Sequence, residues 1–252
     1  MITLQDFFDD LAAGELANVK MGNSDLGTIS EAEVPKVVSC LNQAFLKVYQ
    51  RLNLRQGKLI LHQQSGVTRY FLRSKYAGLV GDIDEDIYLQ QTDLVPYEDD
   101  LIKVLSAEDS DDKEVRINDR KYPADIFTSS FDVVDIAAPS SSSTYTNTDG
   151  VNRTSLDIFT IEYQAKFPKI IVTENLKPRR YELHIPDFII DPLLLYTTYK
   201  LFRKPVKIAK GEVNPSTTLL VEFENSMRQL ENQDLEMDTN DTNTRIEDNG
   251  WK

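Results

Sequence analysis

The apolar residues of this chain change period twice, and that change restricts the available folds more than any other feature. Val34, Val37, Val38, Leu41, Ala44, Phe45, Val48 and Leu52 recur every three or four residues, while Lys36, Gln43, Lys47 and Gln50 fall on the other side. That stripe belongs to an amphipathic helix. From Lys58 the period drops to two and the residues become β-branched and aromatic, as in Lys58-Leu59-Ile60-Leu61-His62 and Val67-Thr68-Arg69-Tyr70-Phe71-Leu72. Helical spacing then returns. Asp191-Pro192 precedes Leu193, Leu194, Tyr196, Tyr199, Leu201 and Phe202, with Pro205 as the stop, and Asn214-Pro215 precedes Leu219, Leu220, Phe223, Met227 and Leu230. Asp or Asn before Pro supplies an N-cap acceptor and a proline at the first helical position. The pattern predicts an α+β protein, in which N- and C-terminal helices form one helical body and an antiparallel β-rich domain, sandwich or barrel-like, is inserted. The expected divisions are 1–57 and 186–235 for the helical body, 58–185 for the insertion, and 236–252 for an acidic flexible tail or docking arm.

Other local signals fill in this outline. Thr3 with Asp6 predicts a helix start, and Leu4, Phe7, Phe8 and Leu11 line one face of a short helix running to about Gly14. Gly22-Asn23-Ser24-Asp25-Leu26-Gly27 is turn chemistry. Ser30 and Glu33 resemble a capping box, although Pro35 removes an early hydrogen bond and places the start of the long helix later. Further strands are expected at 87–90, 101–105, 114–117, 131–137, 158–164, 169–173 and 179–185, with Asn118-Asp119 as a hairpin tip. Pro139-Ser140-Ser141-Ser142-Ser143-Thr144 is too polar to pack and reads as a mobile loop. From Glu231 to Lys252 there are seven acidic and two basic residues, with little apolar content before Ile246 and Trp251, so this stretch reads as disordered or as an arm that folds on a partner.

Composition narrows the functional classes. No run approaches the roughly 18 apolar residues of a membrane helix, and Met1-Ile2-Thr3-Leu4-Gln5-Asp6 lacks the basic and apolar regions of a secretory signal, so the chain is expected to stay in the cytoplasm where it is made. A lone Cys40 on the helical stripe reads as a small buried apolar residue. The net charge of −13 opposes a protein that grips nucleic acid over its whole surface, but leaves open a surface that DNA passes without sticking.

Catalytic and metal signatures are weak. Asp82, Asp84 and Asp86 alternate as in a calcium loop, yet Ile87 stands where glycine is required and Asp93 where glutamate is usual, so they read as a solvated loop. Glu108-Asp109-Ser110-Asp111-Asp112 reads as an exposed turn. His62 and His184 both sit in strand patterns and suit half-buried structural roles. No nucleophile motif, phosphate loop or paired-cysteine site occurs, and no cofactor, metal or catalytic residue is expected. Lys200, Arg203, Lys204, Lys207 and Lys210 form a basic cluster with two readings. It complements a helix C-terminus, or it meets acidic loops of an identical subunit.

The order of elements resembles the head-to-tail adaptor proteins of short-tailed bacteriophages. The residues that carry the resemblance are Leu11-Ala12-Ala13-Gly14-Glu15-Leu16, the segment Leu41-Asn42-Gln43-Ala44-Phe45-Leu46-Lys47-Val48-Tyr49-Gln50-Arg51-Leu52 leading into Lys58-Leu59-Ile60-Leu61, and Tyr181-Glu182-Leu183-His184-Ile185-Pro186 before the helix of 193–202. It covers about 1–57 and 179–235, while the inserted strands and the acidic tail have no counterpart that aligns. The resemblance implies a structural, non-enzymatic virion protein: a homo-oligomeric ring of about twelve subunits on the portal protein, with a tail or nozzle protein on the other face and DNA passing through the channel. A separate expectation comes from the tail itself: Ile246 and Trp251, large apolar residues in a polar segment, would anchor an arm in a pocket of the portal or of a neighbouring subunit. Another neck or tail-tube ring component shares the β content but has less reason for terminal helices, and a non-viral binding module or an acid-dependent hydrolase would need a cleft.

Overall fold

A computed structural model of the protein describes residues 2–14, 16–17, 29–64, 66–79, 86–91, 97–118, 126–136, 145–146, 152–153, 158–173, 176–202 and 215–233. It is α+β. The helices are α1 (Leu4–Ala13), α2 (Val34–Arg51), α3 (Ile190–Phe202) and α4 (Pro215–Asn232). The strands in chain order are β1 (Ile2–Thr3), β2 (Gln56–His62), β3 (Arg69–Phe71), β4 (Ala77–Gly78), β5 (Leu89–Gln91) and β6 (Leu101–Glu108). They continue with β7 (Ile126–Ser130), β8 (Val133–Ile136), β9 (Tyr145–Thr146), β10 (Asn152–Arg153), β11 (Ile158–Ala165) and β12 (Glu182–Leu183). The chain divides into two compact units, Met1–Asn53 with Lys169–Lys252, and Leu54–Pro168. The second boundary thus falls at 168/169, whereas period-two patterning had extended the β region to 185.

In the first unit, Thr3 accepts a hydrogen bond from the Asp6 backbone and Asp6 accepts one from the Thr3 backbone, a reciprocal cap that starts α1. Leu4, Phe7, Phe8 and Leu11 are buried, as their spacing requires. The entry to α2 is a turn: Glu33 accepts from the Ser30 backbone and hydroxyl, and Ser30 O accepts from Glu33 and Val34. The helix proper begins at Val34 because Pro35, with no N–H and a bulky ring, fits only its first positions. Asp191 is not the cap of α3. A 3-10 turn over Asp187–Ile189 leads in, the helix begins at Ile190, and Pro192 sits in a first turn whose N–H groups have no intrahelical partner. Pro215 opens α4 as its spacing predicts.

Helix α3 packs against both α2 and α4 and is apolar almost all round, which is the signature of a helix inside a bundle. Tyr196 of α3 packs on Phe223 of α4 with ring centroids 4.7 Å apart. The two chain ends also pair directly. β1 runs antiparallel to β12 through Ile2–Leu183 and Thr3–Glu182, and Leu4 N–H donates to Tyr181 O at 2.8 Å.

The second unit holds a five-stranded sheet of order β4-β5-β2-β11-β6 and a three-stranded antiparallel sheet of order β3-β8-β7. Register explains the core. Leu61 faces Phe159, and Leu59 faces Ile161, which in turn faces Ala107, so one row of alternate residues is buried. On the other face Lys58, Glu162 and Ser106 stand in a row, and Glu162 accepts from both neighbours. Both sheets contribute to one apolar cluster, which includes Leu59, Tyr70, Ile126, Val134 and Phe159. Buried tyrosine hydroxyls tie the two sheets: Tyr88 accepts from Phe71 N–H and donates to Phe71 O, and Tyr97 donates to Leu72 O. Burial pushes the Tyr88 phenol up to about 12 and raises that of Tyr97 as well, so both keep their protons for these bonds.

Several strand expectations are corrected. The β4–β5 pair is parallel, so the larger sheet is mixed. Residues 114–117 make only isolated bridges, Glu108–Glu114 and Ile117–Ile126. Of the run 131–137, Val133–Ile136 forms a strand as expected, while Phe131 and Asp132 form the turn that joins it to β7 and residue 137 lies outside the described residues. The reversal after β6 lies at Asp109–Lys113, with Asp112 at φ 58°. Asn118 is left-handed and bonds to Ile126 and Thr128, while the partner strand expected at 120–122 lies outside the described residues. Residues 169–173 form no strand, and 179–185 yields a 3-10 turn and the two residues of β12. The turn at 22–27 and the loop at 139–144 also lie outside the described residues.

Candidate functional site

The residues singled out for chemistry separate widely. His62 is half-buried on β2 and its Nε2 lies 3.1 Å from Gln90 Oε1, a structural bond across the β2–β5 ladder. His184 follows β12 and is exposed, contrary to the half-buried position expected; residue 183 is the inward one, so the next side chain must point out. Among the described residues no group of three His, Cys, Asp or Glu side chains could hold a metal ion. Asp86 is exposed, and Asp82, Asp84 and Asp93 lie outside the described residues. Asp109 departs from the expected exposed turn. Its side chain is buried and accepts from the backbones of Asp111 and Lys113 at 2.9 and 3.0 Å, replacing water with N–H donors.

Cys40 is buried on α2, and burial pushes its thiol up against the opposing pull of Lys36 and Lys200. Lys200 is the one member of the basic cluster within the described residues. It lies half-buried on α3, with Nζ 5.4 Å from the Tyr196 ring centroid. Arg203, Lys204, Lys207 and Lys210 lie outside the described residues, as do Ile246 and Trp251.

Two features of the helical unit were not legible as functional in the sequence. Arg51, in the last turn of α2, grips α4: Nη1 donates to Glu224 at 2.6 Å, while Nε and Nη2 donate to the two oxygens of Glu231 at 2.7 and 2.9 Å. The two-pronged bond to Glu231 fits the guanidinium fork, and it holds the Glu231 carboxyl below its usual range. The second feature is the segment 169–173. Asn42 of α2 donates to Ile170 O and accepts from Ile170 N–H, both at 2.9 Å, which pins the segment and buries Ile170. Beyond the pin, Ile171 is 68% exposed and Val172 38%, and among the described residues neither makes a backbone hydrogen bond. The sequence signal was a β-branched run, which predicts a strand, but no strand forms there.

No protein-family model matches the chain, and no curated protein matches it.

Leu46, Ile171, Val172, Phe188 and Val221 leave large apolar side chains exposed on the helical unit. No helix among the described residues is long and apolar enough to cross a membrane.

Proposed function

We propose that this chain is the subunit of a head-to-tail adaptor ring in a short-tailed bacteriophage, where it joins the portal to the tail and forms part of the DNA channel. The observation that carries this reading is the helical unit itself. Residues from both ends of the chain build it, held by the β1–β12 pairing and by the Arg51 grip on α4, with the β unit as an insertion between them. Exposed apolar side chains on that unit supply surface for packing between subunits. The charge of −13 supports a channel role, because a negative wall repels phosphate and lets DNA slide. In this reading the protein acts mechanically, in the virion neck, without cofactor.

The test is the mass of the purified chain with and without purified portal protein, by sedimentation or by imaging of particles. A closed ring of about twelve copies seated on the portal is the expected result. A chain that stays monomeric with the portal present overturns the proposal, and an open-ended tube without portal binding favours a tail-tube component instead.

A further inference from the structure

The run from Lys169 to Arg180 is, with the cluster of Lys200 to Lys210, one of the basic stretches of an acidic chain. It carries four cations, Lys169, Lys177, Arg179 and Arg180, against the single carboxylate Glu174. All four are exposed, and none forms an ion pair among the described residues. The same run presents Ile171 and Val172 to solvent with backbone groups that have no partner among the described residues, held in place because Asn42 fixes Ile170 from behind. An exposed β-branched segment of this kind, although not itself a strand, can receive an extended peptide, whose backbone pairs with the open backbone groups and whose side chains cover the apolar ones. The flanking cations select for a negative peptide.

The chain contains a segment of that chemistry. From Asp234 to Lys252 there are six carboxylates, Asp234, Glu236, Asp238, Asp241, Glu247 and Asp248, against Arg245 and Lys252, with Leu235, Met237, Ile246 and Trp251 as apolar residues. Nineteen residues span up to about 60 Å when extended, enough to reach a neighbouring subunit. We infer that residues 234–252 of one subunit dock on the 169–180 segment of the adjacent subunit, with Ile246 or Trp251 covering Ile171 and Val172. A ring of identical subunits requires two different, complementary surfaces on each copy, and an acidic arm with a basic apolar receiver supplies such a pair. The inference rests on the ring reading given above.

Trp251 is the only tryptophan in the chain, so its fluorescence reports docking directly. The full-length protein is compared with Ile171→Asp and with the double variant Arg179→Glu/Arg180→Glu, all exposed positions, across a dilution series and at low and high salt. Sedimentation is measured on the same samples, with and without portal protein. The expected result is a blue-shifted Trp251 emission in the assembled protein that is lost on dilution, in either variant, and progressively with salt. Emission of a water-exposed indole in assembled protein overturns the inference, as does a shift that both variants retain. A shift that does not depend on concentration assigns the arm to its own chain and also overturns it. A ring whose Trp251 is exposed removes the docking but leaves the adaptor reading standing, whereas a chain monomeric with portal present removes both.

Discussion

Arg51 ties the end of α2 to α4, and its partners could not have been read from the sequence. A cation in the last turn of a helix is unremarkable, and Glu224 and Glu231 lie 173 and 180 positions away. No local pattern encodes such a pairing; only the fold brings it about. Arg51→Ala is expected to cost about 1 kcal/mol in urea denaturation at neutral pH, a modest figure because both glutamate side chains remain more than a third exposed. The pH dependence has a definite sign. Arg51 donates to Glu231 and so lowers its carboxyl from the ordinary 4.5, and this stabilisation is present above that value and lost as pH falls through the folded value. The difference between wild type and Arg51→Ala should therefore shrink as pH drops below about 4.5, and a gap that stays constant down to acid denaturation would contradict the ionic account.

At the scale of elements, hydrophobic period located what it could and failed for identifiable reasons. The helices and the strands β2 and β11 combine strong period with burial on one face, so they were legible. The capping box at Thr3 was legible because its two partners are three residues apart. Residues 169–173 have strand composition, but composition cannot show whether a partner exists, and here the Asn42 amide takes the place of a neighbouring strand on Ile170. Gly57 shows another kind of silence. In β2 it stands opposite Tyr163 of β11, and a methyl group added there would strike the Tyr163 ring. That ring is held by the hydroxyl bond to Asp100 at 3.1 Å and by an edge contact with Tyr97. Asp100 is itself fixed by Arg55 at 2.9 Å. Gly57→Ala should cost about 1 to 3 kcal/mol by thermal or chemical denaturation, and combining it with Tyr163→Leu should recover part of that loss because the two sites couple. Purely additive losses would remove the steric explanation.

For the whole molecule, the α+β class was legible because the changes of period are coarse and survive errors in individual strands. The far boundary of the insertion was not, since Lys169–Ile185 has β-prone residues yet serves the helical unit, through Ile170 on α2 and β12 on β1. The pairing of the two chain ends also has a consequence for synthesis. A ribosome delivers α2 early, but its packing partner α3 begins at Ile190, so a nascent chain carries the apolar stripe of α2 uncovered while all of Leu54–Pro168 is made. The inserted unit has no such delay, as its partners lie within one continuous stretch. Nascent chains stalled once residue 168 has cleared the exit tunnel should resist protease over 54–168 while the first 53 residues are cut, and protection of the N-terminal region should appear only after α3 has emerged. On that expectation the order of folding departs from the order of birth, and the middle of this protein is finished before its beginning.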